Sequence, residues 1–163
     1  MQKILTVFGT RPEAIKLAPV IRALEDAPEF RSVVCVTGQH RQILDQMLGF
    51  FGLHADHDLD VMRPDQTLPG LTARALEALQ PILQSERPDW VVVQGDTTTA
   101  MAAGLGAYYN KIKVAHVEAG LRTGDKYAPF PEEVNRRLIA AIADLHFAPP
   151  RLPAWKLCWT ASG

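Results

Sequence analysis

Three carboxylates and one arginine are spaced so that they could act on a single small substrate. Asp96 follows the apolar run Trp90–Val93 through Gln94-Gly95, and Glu118 follows the second run, Val114–Val117. Between them, Thr97 to Asn110 is helix-like, with a threonine available as its cap. A strand, a crossover helix and a second strand must leave the strands parallel. Both carboxylates then project from one carboxyl edge, where open α/β sheets bind ligands. Neighbouring strands lie about 4.8 Å apart, close enough for both groups to face the same substrate. Arg11 leaves that edge after the first strand. Its forked guanidinium suits a phosphate or carboxylate, and pairing with Glu13 is an equal reading. Lys16, one turn on, reads by position as a solvated helix residue.

Glu132 and Glu133 open a helix, where acidic residues complement the helix dipole. The long polar loop around Arg122–Tyr127, which leaves the same edge as Glu118, singles out Glu132 as a third candidate. His116 alternates with Val114 and Val117 and reads as a satisfied core histidine. Gln39, His40, Arg41 and Gln42 form a donor-rich turn able to hold a polar ligand.

Regular elements must position these groups. Residues 3–8 and 32–37 read as strands, followed by helices beginning at Pro12 and after Arg41. Thr10 or a neighbour caps the first of them, and Pro12 suits its first turn. Its apolar residues, Ile15, Leu17, Ala18, Val20, Ile21 and Leu24, keep a helical period. Residues 67–84 form a longer helix, 131–143 another, and 144–148 a last strand. The alternation argues for an α/β fold built on a doubly wound parallel sheet. His54–Asp65 reads as a solvated loop, and its His54, Asp56, His57, Asp58 and Asp60 lack the tight spacing of a metal site. No metal is expected.

With 163 residues and 47% hydrophobic content, the chain can bury one substantial core. Seventeen basic against 18 acidic residues leave a net charge of −1, which argues against a nucleic-acid surface or a polybasic membrane patch. No apolar stretch approaches the roughly 20 residues of a membrane helix, and the first strand is too short for a signal peptide. Cys35 and Cys158 make no disulfide framework. A soluble, cytoplasmic protein is expected. Neither G-x-G-x-x-G after the first strand nor G-x-x-x-x-G-K-[ST] occurs. Gly104-Leu105-Gly106 lies within a helix, where packing accounts for it. Residues 150–163 hold prolines and two tryptophans without a usable period and look foreign to the fold.

At Phe8-Gly9-Thr10-Arg11-Pro12-Glu13-Ala14-Ile15-Lys16, Gln94-Gly95-Asp96-Thr97-Thr98-Thr99 and His116-Val117-Glu118-Ala119-Gly120-Leu121-Arg122-Thr123, the chain closely resembles the non-hydrolysing UDP-N-acetylglucosamine 2-epimerases. Thr37-Gly38-Gln39-His40-Arg41 and Pro129-Phe130-Pro131-Glu132-Glu133-Val134-Asn135-Arg136 extend the match, in order, from residue 3 to about 149. The resemblance implies a Rossmann-like domain at 1–149, one half of a two-Rossmann-domain architecture of the glycosyltransferase type. It implies interconversion of UDP-N-acetylglucosamine and UDP-N-acetylmannosamine, by elimination and re-addition of UDP, for surface polysaccharide synthesis. Asp96, Glu118 and Glu132 would be catalytic, and Arg11, Lys16 and Arg122 would hold the substrate. Gln39 and Gln42, with His40 between them, would fall near a second, regulatory site for UDP-N-acetylglucosamine. No cofactor is implied, and the full-length family would be homodimeric.

The family's second domain, with most UDP contacts and a catalytic histidine, has no counterpart here. In relatives a helix begins just after the position of Pro149. The expectation is therefore a truncated product, frame-shifted near residue 150 or with a disordered tail, and inactive or nearly so alone. The rival expectation is a non-catalytic module that acts by dimerising or through a partner supplying the other half.

Overall fold

The computed structural model describes residues 1–38 and 41–149, with the side chains of 41–43 and 45 excepted. Six strands run in chain order as β1 (Gln2–Phe8), β2 (Phe30–Val36), β3 (His57–Asp58), β4 (Trp90–Gln94), β5 (Lys113–Val117) and β6 (Leu145–Phe147). Five helices separate them: α1 (Arg11–Glu25), α2 (Arg41–Phe51), α3 (Leu68–Glu86), α4 (Thr98–Tyr109) and α5 (Glu132–Ile142). All strand pairs are parallel, in the order β3-β2-β1-β4-β5-β6. This is the doubly wound arrangement, and the order reverses between β1 and β4.

Helix starts follow the local chemistry. Thr10 caps α1 in a capping box with Glu13, Thr67 caps α3 by accepting from the Gly70 amide, and Thr97 caps α4 by accepting from the Ala100 amide. Central strands are apolar on both sides because helices cover both faces. Ile4, Phe8, Val34, Val36, Val92 and Ala115 pack with α1 and α2. Leu5, Val7, Val33, Val91, Val93 and Val114 pack with Leu79 and Leu83 of α3, Ala100, Ala103 and Ala107 of α4, and Ile139 of α5. Each fully buried Leu, Val or Ile contributes about 1.5–3 kcal/mol. The Gly104-Leu105-Gly106 segment is structural, since a Cβ at Gly104 would lie 3.3 Å from Ile142 Cδ1 and one at Gly106 3.4 Å from Leu83 Cδ1. The two glycines let α4 sit close to α5 and α3.

Two differences from the sequence expectation bear on the sheet. β2 begins at Phe30, two residues early, because its first residues pair in register with Gln2 and Lys3 of β1. The 54–65 segment is not all loop: His57 and Asp58 form β3 on the sheet edge, paired with Cys35 and Val36. A two-residue edge strand with charged side chains carries no alternation to read, and such charge is a common guard on an exposed edge. Residues 39, 40 and 150–163 lie outside the described residues, as does the Gln42 side chain, and with them the expected regulatory site and tail.

Candidate functional site

At the carboxyl edge, where the strand order reverses, a groove of about 840 Å³ opens between the ends of β1, β4 and β5. Arg11, Lys16, Gln94, Asp96, Glu118 and Glu132 all line it. Five of the six expected catalytic and substrate-binding residues therefore converge on one cavity, drawn from four segments of chain.

Asp96 sits on the turn between β4 and α4. Arg136 Nε donates to its Oδ2 at 2.7 Å, and Asn135 Nδ2 donates to its main-chain carbonyl at 2.9 Å. Its position is thus set from α5, 40 residues away. Glu118 ends β5 with φ +65°, a left-handed conformation that costs a non-glycine residue about 1–2 kcal/mol. Such strain persists only where the surroundings over-determine it. Here Lys16 Nζ donates to Glu118 Oε2 at 2.5 Å, and Gln94 Nε2 donates to the same oxygen. On either side the ladder continues, with the Gly95 amide on the Val117 carbonyl and the Ala119 amide on that of Phe147, each at 3.0 Å. Lys16 is exposed yet engaged, so it belongs to the site rather than to a purely solvated face. Glu132 opens α5 and lines the groove, and its Oε2 is buried with no hydrogen-bond partner among the described residues.

Arg11 is exposed and makes no ion pair with Glu13. Glu13 turns inward and is only 2% exposed. Its Oε2 accepts from the amides of Gly9 (2.9 Å) and Thr10 (2.7 Å), and its Oε1 accepts from the Thr97 hydroxyl (2.8 Å). Burial pushes its carboxyl upward against these hydrogen bonds. Glu133 is also buried. Burial raises it, but the Thr123 amide and the Arg137 and Arg136 guanidinium groups outweigh burial and hold it below the usual carboxylate value.

Arg122 does not line the groove. Its Nη1 bonds the neighbouring Leu121 carbonyl, and its charge acts on His116, His146 and Glu133. After Glu118 the chain turns at Gly120, φ +88°; Leu121 still lines the groove, and the Thr123 amide donates to Glu133 of α5. His116 is a core residue, as expected, but only half satisfied. Its Nε2 lies 2.7 Å from the Gly95 carbonyl and donates to it, while Nδ1 has no protein partner. Burial holds this imidazole below its ordinary value. Among the described residues, no group of three or more His, Cys, Asp or Glu is placed to hold a metal.

Sequence reasoning missed Gln94, Asn135 and Arg136, and left Glu13 as a possible partner of Arg11. The Thr10-x-x-Glu13 capping pattern was the available signal for Glu13. For Asn135 and Arg136 the signal was their place in the Pro129–Arg136 motif, and for Arg136 also its spacing from Glu133, one helical turn back.

A model of the UDP-N-acetylglucosamine 2-epimerase family matches residues 22–158. A UDP-N-acetylglucosamine 2-epimerase of Salmonella typhimurium is 58% identical over 147 residues, covering 90% of this chain and 39% of that protein. The chain thus spans about two fifths of such a relative. A crystal structure of a UDP-N-acetylglucosamine 2-epimerase superposes with a TM-score of 0.95 at 52% identity, covering 99% of this chain and 46% of that one. The enzyme from Neisseria meningitidis, solved bound to UDP-GlcNAc, superposes with a TM-score of 0.93 at 49% identity, covering 99% and 44%.

Proposed function

The chain belongs to the UDP-N-acetylglucosamine 2-epimerase family, and from that premise we propose that its groove is the N-terminal side of a site interconverting UDP-N-acetylglucosamine and UDP-N-acetylmannosamine. The observation that carries the reading is the convergence of Asp96, Glu118 and Glu132 with Arg11 and Lys16 on one groove at the sheet's switch point.

C2 of the sugar has no adjacent carbonyl, so its proton is hard to remove directly. Elimination avoids this. The C2–H bond gives its proton to a base, the C1–O bond to UDP breaks, and 2-acetamidoglucal and UDP result. Re-addition forms the C1–O bond again and returns a proton to C2 from the opposite face. Positive charge develops at C1 during both steps, and nearby carboxylates stabilise it. Glu118, held by Lys16 and Gln94, and Asp96, held by Arg136, are fixed carboxylates of the kind this needs. Glu132, with a free buried oxygen, is the group best placed to take or give a proton. Arg11 has no competing ion pair among the described residues and is available for the diphosphate. The product would feed surface polysaccharide synthesis in the cytoplasm, and the full-length protein would be a homodimer. Family resemblance supports these last points.

A chimera tests the proposal, with residues 1–149 of this chain replacing the matching segment of the Salmonella typhimurium relative. In heavy water it should incorporate deuterium at C2 and form the epimer. Asp96→Asn, Glu118→Gln and Glu132→Gln should each lower the rate by about 10²–10⁴-fold. A folded chimera that binds the UDP-sugar but exchanges nothing at C2 would overturn it.

A further inference from the structure

Glu13 is assigned no chemistry by the reading above, yet it is among the most buried charged groups in the molecule. A capping-box glutamate ordinarily reaches back to its own N-cap and stays near solvent. Here one oxygen does that work, taking the Gly9 and Thr10 amides. The other reaches the Thr97 hydroxyl, 84 residues away, across the β1–β4 boundary. The Thr97 hydroxyl in turn accepts from the Ala100 amide at 3.0 Å and so caps α4. One carboxylate therefore joins the starts of α1 and α4. Arg11 is the first residue of α1, and Asp96 immediately precedes the α4 cap.

The surroundings leave this link little slack. A Cβ on Gly9 would fall 2.0 Å from Thr37 Oγ1 and 3.5 Å from Thr99 Oγ1, so the β1–α1 turn lies hard against its neighbours. Thr97 and Thr99 hydroxyls are 3.1 Å apart, which ties the second turn of contacts to the first. Two of the three partners of Glu13, the Gly9 and Thr10 amides, can only donate, and the Thr97 hydroxyl donates to its other oxygen. With glutamine the amide would face Thr97, whose hydroxyl would then have to accept and turn its proton away.

We infer that Glu13 is a positioning residue, whose buried carboxylate sets the Arg11 turn and the Asp96 turn relative to each other across the groove. The inference rests on the proposed function only for its consequence in substrate binding. The coupling itself can be measured without substrate.

The test is NMR on the full chain, comparing wild type with Glu13→Gln, Thr97→Val, Thr97→Ser and the Glu13→Gln/Thr97→Val double variant. Glu13→Gln and Thr97→Val should each move the Asp96 carboxyl carbon and the Arg11 Nε–H resonance, while β2 and β5 amides stay in place. Either change should speed exchange of the Ala100 amide about tenfold or more, Thr97→Val by removing its acceptor and Glu13→Gln by removing the charge-assisted bond that holds that acceptor. The double variant should go little further than either single one, and Thr97→Ser, which keeps the hydroxyl, should match wild type. If Glu13→Gln disturbs only the first turn of α1 and leaves Asp96 and Ala100 unmoved, Glu13 is an ordinary cap and the inference fails. Should Glu13→Gln not fold, the Thr97→Val and Thr97→Ser pair decides through the Arg11 Nε–H resonance, since loss of the α4 cap by itself disturbs only Ala100 and Asp96. An unmoved Arg11 in Thr97→Val then overturns the inference. Titration of the chimera with UDP-N-acetylglucosamine separates the two readings. Absence of any shift at Arg11 in the folded chimera counts against the proposed function, and the ligand-free coupling in the chain itself stands or falls independently.

Discussion

His116 shows how a single residue can be necessary behind a site without touching it. Its Nε2–H holds the Gly95 carbonyl, one residue before Asp96, and it is fully buried. Burial keeps its folded-state value below 6.5, where the unfolded chain titrates. Between those two values the unfolded state binds the extra proton. Stability is therefore complete above about pH 6.5 and declines as pH falls below it. His116→Gln, which can still donate to Gly95, should flatten that decline without abolishing it, because burial depresses His146 as well. Urea unfolding from pH 7.5 down to 5 measures the slope, and identical slopes in wild type and variant would contradict this account.

At the scale of the elements, the end of β5 is where the fold works hardest. The strand delivers Glu118 in a left-handed conformation, held between Lys16 of α1 and Gln94 of β4. Removing the side chain loses those contacts, but replacement by glycine also relieves the backbone. Glu118→Gly should thus be more stable than Glu118→Ala by about 1 kcal/mol, the reverse of the order expected in an ordinary strand. Thermal and urea unfolding of the two variants provide the comparison. An alanine variant that equals or exceeds the glycine variant would show that the strain is absent. Helix α5 is the other element on which the site depends, since Glu132, Asn135 and Arg136 on adjoining turns supply a free carboxylate and both holds on Asp96.

For the molecule as a whole, the two faces of the sheet are unequally covered. Helices α3, α4 and α5 close one face across β4 and β5. On the other, Trp90, Val92, Ala115, Val117, Leu145 and Phe147 border an apolar cavity of about 420 Å³ beside α1. Leu145 is 43% exposed and Phe147 51%. Contiguous apolar surface of this kind favours association. The chain should bind a hydrophobic dye and self-associate as its concentration rises, and Leu145→Lys with Phe147→Lys should reduce both. Sedimentation over a concentration series is the check. A wild-type chain that stays monomeric and binds no dye would show that this face is covered in solution.

Much of this was legible in the residues alone, for a local reason. Helix periodicity, threonine caps at 10 and 97, and β-branched runs depend on neighbours within a few positions. The parallel edge that brings Asp96 and Glu118 together follows from a crossover connection, whose handedness and direction are strongly constrained. What the sequence could not determine depends on contacts between distant segments. That β1 lies between β2 and β4 is what allows Glu13 to meet Thr97, and beyond Gly120 it is Leu121 that lines the groove while Arg122 turns its Nη1 to the Leu121 carbonyl. Arg136 reaches Asp96 only because α5 packs beside α4. Spacing fixes which residues can share an edge or a helix face. Which of them touch is decided by how the whole chain buries its apolar surface, and so by the tertiary structure.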